Sequence, residues 1–529
     1  MQRSAGKVKW VRWGLAAFVV ACLQACGGGG DGAGGVTDVA AAATPSPQVG
    51  QSLPLAPPAG SAQVTPPAQG TPSSPAALLR IEPYERVTAL AVPKSHPGPV
   101  GFSVPPSLAI DLGPPAAVEI AGKAAGAQRV ADAPSPRQIG ASRAVASLAN
   151  SADFSRQMAW QVTAAGGLAA AVSLRSEGAA GLRLGLEVAR LPGTAQVRVR
   201  PAGTAAAVAV SGQDILATLR RNQQAGDLSP EGRTYWLSAV AGDTLAVEIE
   251  LPPGTDPSQV EVAMPRLSHL WWTLAAVASA NELKIGEAGS CNVDATCSPD
   301  YAYQARSIAR MEYVRAGQAY LCTGSLMADV AASGTPYFLG ANHCVGDQTT
   351  ASTLSTYWFY RAAPCNSSAL DSAATRVHGG ATLLHSSAVT DTSFMRLTGS
   401  PPAGAVYAGS MLSQVTPGTD LAGLHHPGGD LLKLSLGSTP GFARCEDARC
   451  ASSTPADGNF LVLRWRSGTT ESGSSGSPVL VTLGSQRYVV GQLFAGAASC
   501  IRPDGNDYYG RLDKAYPALR TWLGTPPGD

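Results

Sequence analysis

The chain has 529 residues, 45% of them hydrophobic and 14% charged, and its 38 Lys and Arg balance 37 Asp and Glu to a net charge of +1. A length like this holds roughly two to four domains with buried cores. The near-neutral balance argues against a polyanionic partner, so no nucleic acid is expected.

Residues 1–25 form an export signal, in which Arg3, Lys7, Lys9 and Arg12 precede an apolar run from Trp13 to Leu23. The run is about half of the ~20 residues that cross a bilayer, which disfavours a transmembrane anchor. Leu23-Gln24-Ala25-Cys26 resembles a bacterial lipobox, which implies cleavage before Cys26 and a lipid on its sulfur; an ordinary signal peptide is the plainer alternative. Gly27 after that cysteine points to the outer membrane. Residues 26–75 are Gly, Ala, Pro, Ser, Thr and Gln with almost no charge or aromatic residue, a composition that cannot bury a core and reads as a flexible tether.

From 76 to 284 the pattern changes to short alternating segments. Val197 and Val199 alternate with Arg198 and Arg200, and Leu245, Val247, Ile249 and Leu251 with Ala246, Glu248 and Glu250, which predicts an antiparallel β domain. Ser211 as N-cap, with Ile215, Leu216 and Leu219 at helical spacing, predicts one helix. The junction that follows is Asn281-Glu282-Leu283-Lys284-Ile285-Gly286.

Of ten cysteines, Cys22 falls in the signal and Cys26 at its end; the other eight, Cys291, Cys297, Cys322, Cys344, Cys365, Cys445, Cys450 and Cys500, all lie after the junction. An even set in one exported segment argues for four disulfides rather than a metal site, with the connectivity open. Runs at Tyr357–Tyr360, Leu461–Trp465 and Tyr488–Leu493 read as strands, and many short strands with Gly-rich turns predict an all-β pair of barrels. Leu519, Trp522 and Leu523, with Pro517 early, predict a closing helix over Leu512 to Leu523.

Three stretches carry chemistry. Gly473-Ser474-Ser475-Gly476-Ser477-Pro478 is a tight turn that exposes the Ser475 hydroxyl and aims the Gly473 and Ser475 N–H groups at one point, where an oxyanion would sit. His343 ends the apolar run Tyr337 to Ala341-Asn342, and Asp391 opens a strand-like segment. Together they make a nucleophile, a general base and an orienting acid. Each has a bland reading beside this: a surface loop, a packed core histidine, a turn-capping aspartate. The other histidines show no comparable context, His425-His426 included, and no H-E-x-x-H spacing points to a metal.

In order, Cys322-Thr323-Gly324-Ser325-Leu326, Ala341-Asn342-His343-Cys344, Asp391 and Gly473 to Pro478 resemble the motifs of chymotrypsin-fold serine proteases, and most closely the bacterial lysyl endopeptidase family. Ser290 to Asp294, Leu424 to Pro427, Thr470 to Gly473, Gly491-Gln492-Leu493 and Tyr509-Gly510-Arg511 match as well, so that the resemblance covers about Gly286 to the end. It implies two six-stranded antiparallel β-barrels with a C-terminal helix over 285–529, preceded by a β-rich prosegment over 76–284 that assists folding or inhibits. It implies the pairs Cys291 with Cys500, Cys297 with Cys365 and Cys322 with Cys344, which leaves Cys445 with Cys450. It implies that Asp507, on the strand before the last helix, lies in the pocket for a basic substrate side chain, and that the chain matures by cleavage after Lys284. Ser474 stands where animal relatives carry an aspartate, so activation does not rest on a new N-terminal ammonium. Phe494 stands where the family has a histidine, and the aromatic partner expected near 442–446 is replaced, so the pocket entrance differs.

The expectation is an exported serine endopeptidase, an outer-membrane lipoprotein precursor and a monomer without cofactor, that cuts proteins or peptides after Lys and in second place Arg. It meets the membrane through its N-terminal lipid before maturation. The alternatives are a protease of other specificity, a surface binding lipoprotein with a degenerate protease domain, and a carbohydrate-binding accessory role for 76–284.

Overall fold

The computed structural model describes residues 78–86, 101–116, 134, 136–271, 287–446 and 449–527. The signal, Cys26, the tether and the junction around Lys284 lie outside the described residues.

The N-terminal β region has its own core. One sheet orders the strands Leu108–Asp111, Leu168–Arg175, Thr244–Leu251, Gln196–Pro201 and Val208–Ser211. The alternation read in the sequence turns Val197, Val199, Val247 and Ile249 inward. The predicted helix is α1 (Gly212–Gln224): Ser211 Oγ accepts from Asp214 N at 3.1 Å, and Ile215 and Leu219 are buried on the core side.

A second sheet crosses from this region into the C-terminal half. Its strands are β1 (Arg137–Ala144), β2 (Gly181–Arg190), β3 (Glu261–Leu270), β4 (Ile308–Arg315), β5 (Gln318–Met327), β6 (Tyr337–Ala341), β7 (Ser355–Trp358), β8 (Thr375–Val377), β9 (Ala381–Ser387) and β10 (Thr392–Leu397). The order β2–β3–β1–β5–β4–β7–β8 inserts β1 between an N-terminal and a C-terminal strand. From β5 the ladder also runs to β6, β10 and β9, so β8 through β9 wrap as an open half-barrel around Met311, Leu326, Phe338, Trp358 and Phe394. The strand expected to reach Tyr360 stops at Trp358, because Phe359 adopts φ 54 and leaves the ladder.

The second barrel consists of β11 (Asp420–His425), β12 (Lys433–Glu446), β13 (Phe460–Ser467), β14 (Pro478–Leu483), β15 (Gln486–Gly496) and β16 (Asp507–Arg511). It closes as the six-stranded ring β15–β14–β11–β12–β13–β16–β15. Leu421, Leu461, Leu463, Val479, Val481 and Tyr509 fill it. The closing helix α2 (Leu512–Leu523) packs Leu512, Leu519 and Leu523 onto the half-barrel core and stops at Gly524, φ 82. The two-barrel, all-β architecture with a terminal helix thus stands, one barrel closed and the other open.

All four disulfides pair as the family resemblance implies: Cys291–Cys500, Cys297–Cys365, Cys322–Cys344 and Cys445–Cys450. Residues 79–85, N-terminal to both sheets in sequence, lie along the C-terminal half. Arg80–Ile81 pairs with Ser410–Met411, Tyr84 stacks on Tyr407 at 4.6 Å between ring centroids, and Ile81 is buried among half-barrel residues.

Candidate active site

His343 and Asp391 meet at the end of the β6–β10 ladder, next to its pair Ala341 and Thr392. The His343 ring faces its acid, with Nδ1 2.8 Å from Asp391 Oδ2, while the His343 N–H donates to Asp391 Oδ1 at 2.9 Å and the Asn342 N–H to the Asp391 carbonyl at 2.8 Å. Asp391 achieves this by taking φ 50 at the head of β10, a left-handed conformation that a short polar side chain tolerates. The acid is buried, so the bond that orients the imidazole is shielded from water.

The nucleophile turn is pinned on two flanks. On one, the Thr323 N–H donates to the Ser475 carbonyl at 2.8 Å, and Thr323 Oγ1 donates to the Gly473 carbonyl at 2.9 Å. On the other, the Gly476 N–H donates to the Leu493 carbonyl of β15 at 2.8 Å. Gly476 (φ 80) packs so close to Thr323 O and Ala341 N that a side chain there would collide, which brings the turn against the residues that carry His343. The Cys322–Cys344 disulfide ties the same two segments covalently. The Ser474 N–H is spent on Glu471 O and the Ser477 N–H on Ser474 O, whereas the N–H groups of Gly473 and Ser475 donate to no acceptor among the described residues. His343 Nε2 is also buried without a hydrogen-bond partner. Among the described residues, Ser475 Oγ is therefore not bonded to that nitrogen.

Sequence reasoning left His425-His426 without a role, and the structure supplies one. His425 Nδ1 is 2.9 Å from Ser474 Oγ and its Nε2 2.9 Å from Ser435 Oγ, so the ring braces the residue before Ser475. His426 turns its Nδ1 to Asp430 O at 2.8 Å and is fully buried; burial drives its pKa down to about 3. Their partners stand far away in sequence, which gave pattern reading nothing to detect. Gln492, quoted above only as a motif residue, donates from Nε2 to Thr390 O at 2.7 Å and so locks β15 to the Asp391 turn.

Asp507 opens β16 and is fully buried. Its Oδ2 accepts from Trp465 Nε1 at 2.7 Å and from Thr470 Oγ1 at 2.7 Å, two partners that sequence reasoning missed. Its Oδ1 lies against Gly496, where any side chain would overlap it. Phe494 stacks edge-on to His343 at 6.1 Å and packs on Phe460 at 5.0 Å. Its aromatic partner thus comes from β13, while Phe442, in the stretch where one was expected, lies under Arg511 instead. Cys322, His343 and Cys344 cluster closely, but the two sulfurs are bonded to each other and offer no thiolate to a metal.

The closed six-stranded barrel, the half-barrel and the terminal helix define the class of two-barrel chymotrypsin-like folds. Comparison with known proteins is more specific. The profile of the lysyl endopeptidase C-terminal domain matches residues 285–510, and that of the lysyl endopeptidase N-terminal domain matches residues 111–271. Together they cover well over half of the chain, which belongs to the lysyl endopeptidase family. A lysyl endopeptidase of Pseudomonas aeruginosa is 32% identical over 305 residues, 55% of this chain and 63% of the relative's own length. Among solved structures, the active form of the Rv3671c protease of M. tuberculosis aligns with 44% of this chain and 88% of its own at a TM-score of 0.30 and 16% identity. A scabies mite inactivated protease paralogue aligns with 42% and 96% at a TM-score of 0.30 and 15% identity.

Proposed function

We propose that the chain is the precursor of a serine endopeptidase that hydrolyses peptide bonds after basic residues, lysine before arginine. The observation that carries this reading is the His343–Asp391 pair beside a serine turn whose Gly473 and Ser475 N–H groups are unspent. Ser475 Oγ attacks the scissile carbonyl carbon and gives its proton to His343 Nε2; the two N–H groups hold the oxyanion. Collapse breaks the C–N bond, Nε2 protonates the departing amine, and water repeats the sequence to free the acid and restore Ser475.

Asp507 supports the preference for a cation, since a carboxylate in the buried interior favours a positively charged substrate side chain over a neutral one. Its Oδ2 already accepts two hydrogen bonds. A guanidinium fork needs both oxygens, whereas an ammonium can use one, and this favours lysine. Residues 76–284 act as the prosegment, removed by cleavage after Lys284. Residues 1–25 direct export, and a lipid on Cys26 holds the precursor at the outer membrane.

The test is cleavage of matched peptides with Lys, Arg or Phe before the scissile bond, using wild type, Ser475→Ala and Asp507→Ala. Lysine cleavage lost in both variants supports triad and pocket together. Full activity in Asp507→Ala moves the specificity determinant elsewhere, and an inert wild type overturns the reading in favour of a binding lipoprotein.

A further inference from the structure

β1 runs up to the nucleophile turn. Its ladder on β5 pairs Gly140 with Ala319, Gln138 with Tyr320 and Arg137 with Leu321. The next residues of β5 are Cys322, bonded to Cys344 beside His343, and Thr323, whose N–H holds the Ser475 carbonyl. Arg137 Cβ lies 3.5 Å from the point where a side chain on Gly473 would begin, and the Arg137 guanidinium is paired with Glu287 at 2.8 Å. Gln138 Nε2 donates to Gln318 Oε1 at 2.9 Å. On its other edge β1 pairs with β3, and a side chain at Gly140 would meet Leu270 Cδ2 at 2.6 Å, so only glycine lets the three strands close up.

Ser475 therefore has an Asp507 flank and a β5 flank. The first is β15, which bonds Gly476 N–H and carries Gly496 against Asp507. A peptide with its basic side chain towards Asp507 and its carbonyl at the Gly473 and Ser475 N–H groups must continue across the β5 flank. There the β5 edge from Ala319 to Leu321 is what an extended chain would pair with. In this structure that backbone is taken by β1.

Resting on the endopeptidase reading, we propose that β1 is a built-in inhibitor of half of the active site: it fills the strand edge that receives the residues after the scissile bond and pairs with neither β15 nor β16 on the Asp507 side. The sequence is consistent with an inhibitor that escapes cutting, because residues 136–271 contain arginine but no lysine. β1 is also anchored in the N-terminal sheet along its far edge, so it docks and leaves with that sheet rather than threading through the site.

The test compares processed wild type with full-length Lys284→Gln, which keeps the chain in one piece. Each is given a fluorophosphonate probe, a lysine anilide whose leaving group is one small ring, and a peptide that continues several residues beyond its lysine. The uncleaved chain is expected to react with probe and anilide within about threefold of the processed enzyme, yet to cut the peptide on the order of 100-fold more slowly, as for an edge open in about one per cent of molecules. Gln138→Pro, which removes a ladder N–H, or Arg137→Glu, added to Lys284→Gln, should restore peptide cleavage while the anilide rate stays put. Equal slowing of anilide and peptide, or no slowing of either, overturns the half-site block. A processed wild type silent to all three reagents overturns the endopeptidase reading itself, and the inhibitor with it.

Discussion

Trp465 Nε1 and Thr470 Oγ1 donate to one Asp507 oxygen where water would otherwise stand. Trp465→Phe preserves the ring and removes one donor, and is expected to lower kcat/KM on lysine peptides about tenfold to hundredfold, the usual worth of a hydrogen bond to a buried charge. Gly496→Ala sets a methyl group against Asp507 Oδ1 and should abolish lysine cleavage while Ser475 still reacts with fluorophosphonate. Asp391→Asn should lower kcat by on the order of 10⁴, with peptide KM little changed, because the imidazole loses its tautomer and orientation. His426 bears on stability. It is held neutral in the fold with a pKa of about 3 against an ordinary 6.5, whereas the unfolded chain takes up the proton below 6.5. Stability is thus intact above pH 6.5 and falls as pH drops from 6.5 towards 3, by up to about 1.4 kcal/mol per unit. His426→Gln should flatten that slope, read from urea midpoints at pH 7 and pH 4.

At the scale of elements, the site depends on two short connections. The Cys322–Cys344 disulfide joins β5 to the segment that presents His343. Its replacement by two serines is expected to cost about 2–4 kcal/mol in urea unfolding and to lower kcat more than it raises KM. The segment 79–85 should matter as much for stability as a core strand: Ile81→Ala empties a site inside the half-barrel and should cost about 2–4 kcal/mol. How far each element could be read in the sequence follows from where its partners lie. α1 and the strand around Val197 declare themselves through their own periodicity, and the His343, Asp391 and Ser475 stretches through local composition. Asp507 came from family likeness, but Trp465 and Thr470, which support it, sit 42 and 37 residues away. The pairing of Arg80–Ile81 with Ser410–Met411 joins residues more than 300 positions apart and involves two residues on each side, too few for any period to register.

Among the described residues, two cored bodies share one sheet through β1. A buried ion pair reinforces that union: Arg183 of β2 lies 3.5 Å from Glu312 of β4, donates from Nη2 to Thr353 O at 2.6 Å, and loses affinity for its proton to burial. Arg183→Ala should weaken the union by about 3–5 kcal/mol, because Glu312 stays buried, whereas Arg183→Met with Glu312→Leu should cost far less. Gel filtration of processed chains would read the difference as early separation of the two pieces. The shared sheet also bears on the order of events during synthesis. β5 must find the distant turn that supplies Ser475, a contact of high sequence separation that raises the barrier to folding. An N-terminal sheet that is already formed presents the finished edge of β1 as a template on which β5 and its hairpin partner β4 can crystallise. Denatured 285–529 is therefore expected to regain structure slowly alone and much faster once the N-terminal body is added back, a chaperone encoded in the same chain as its client.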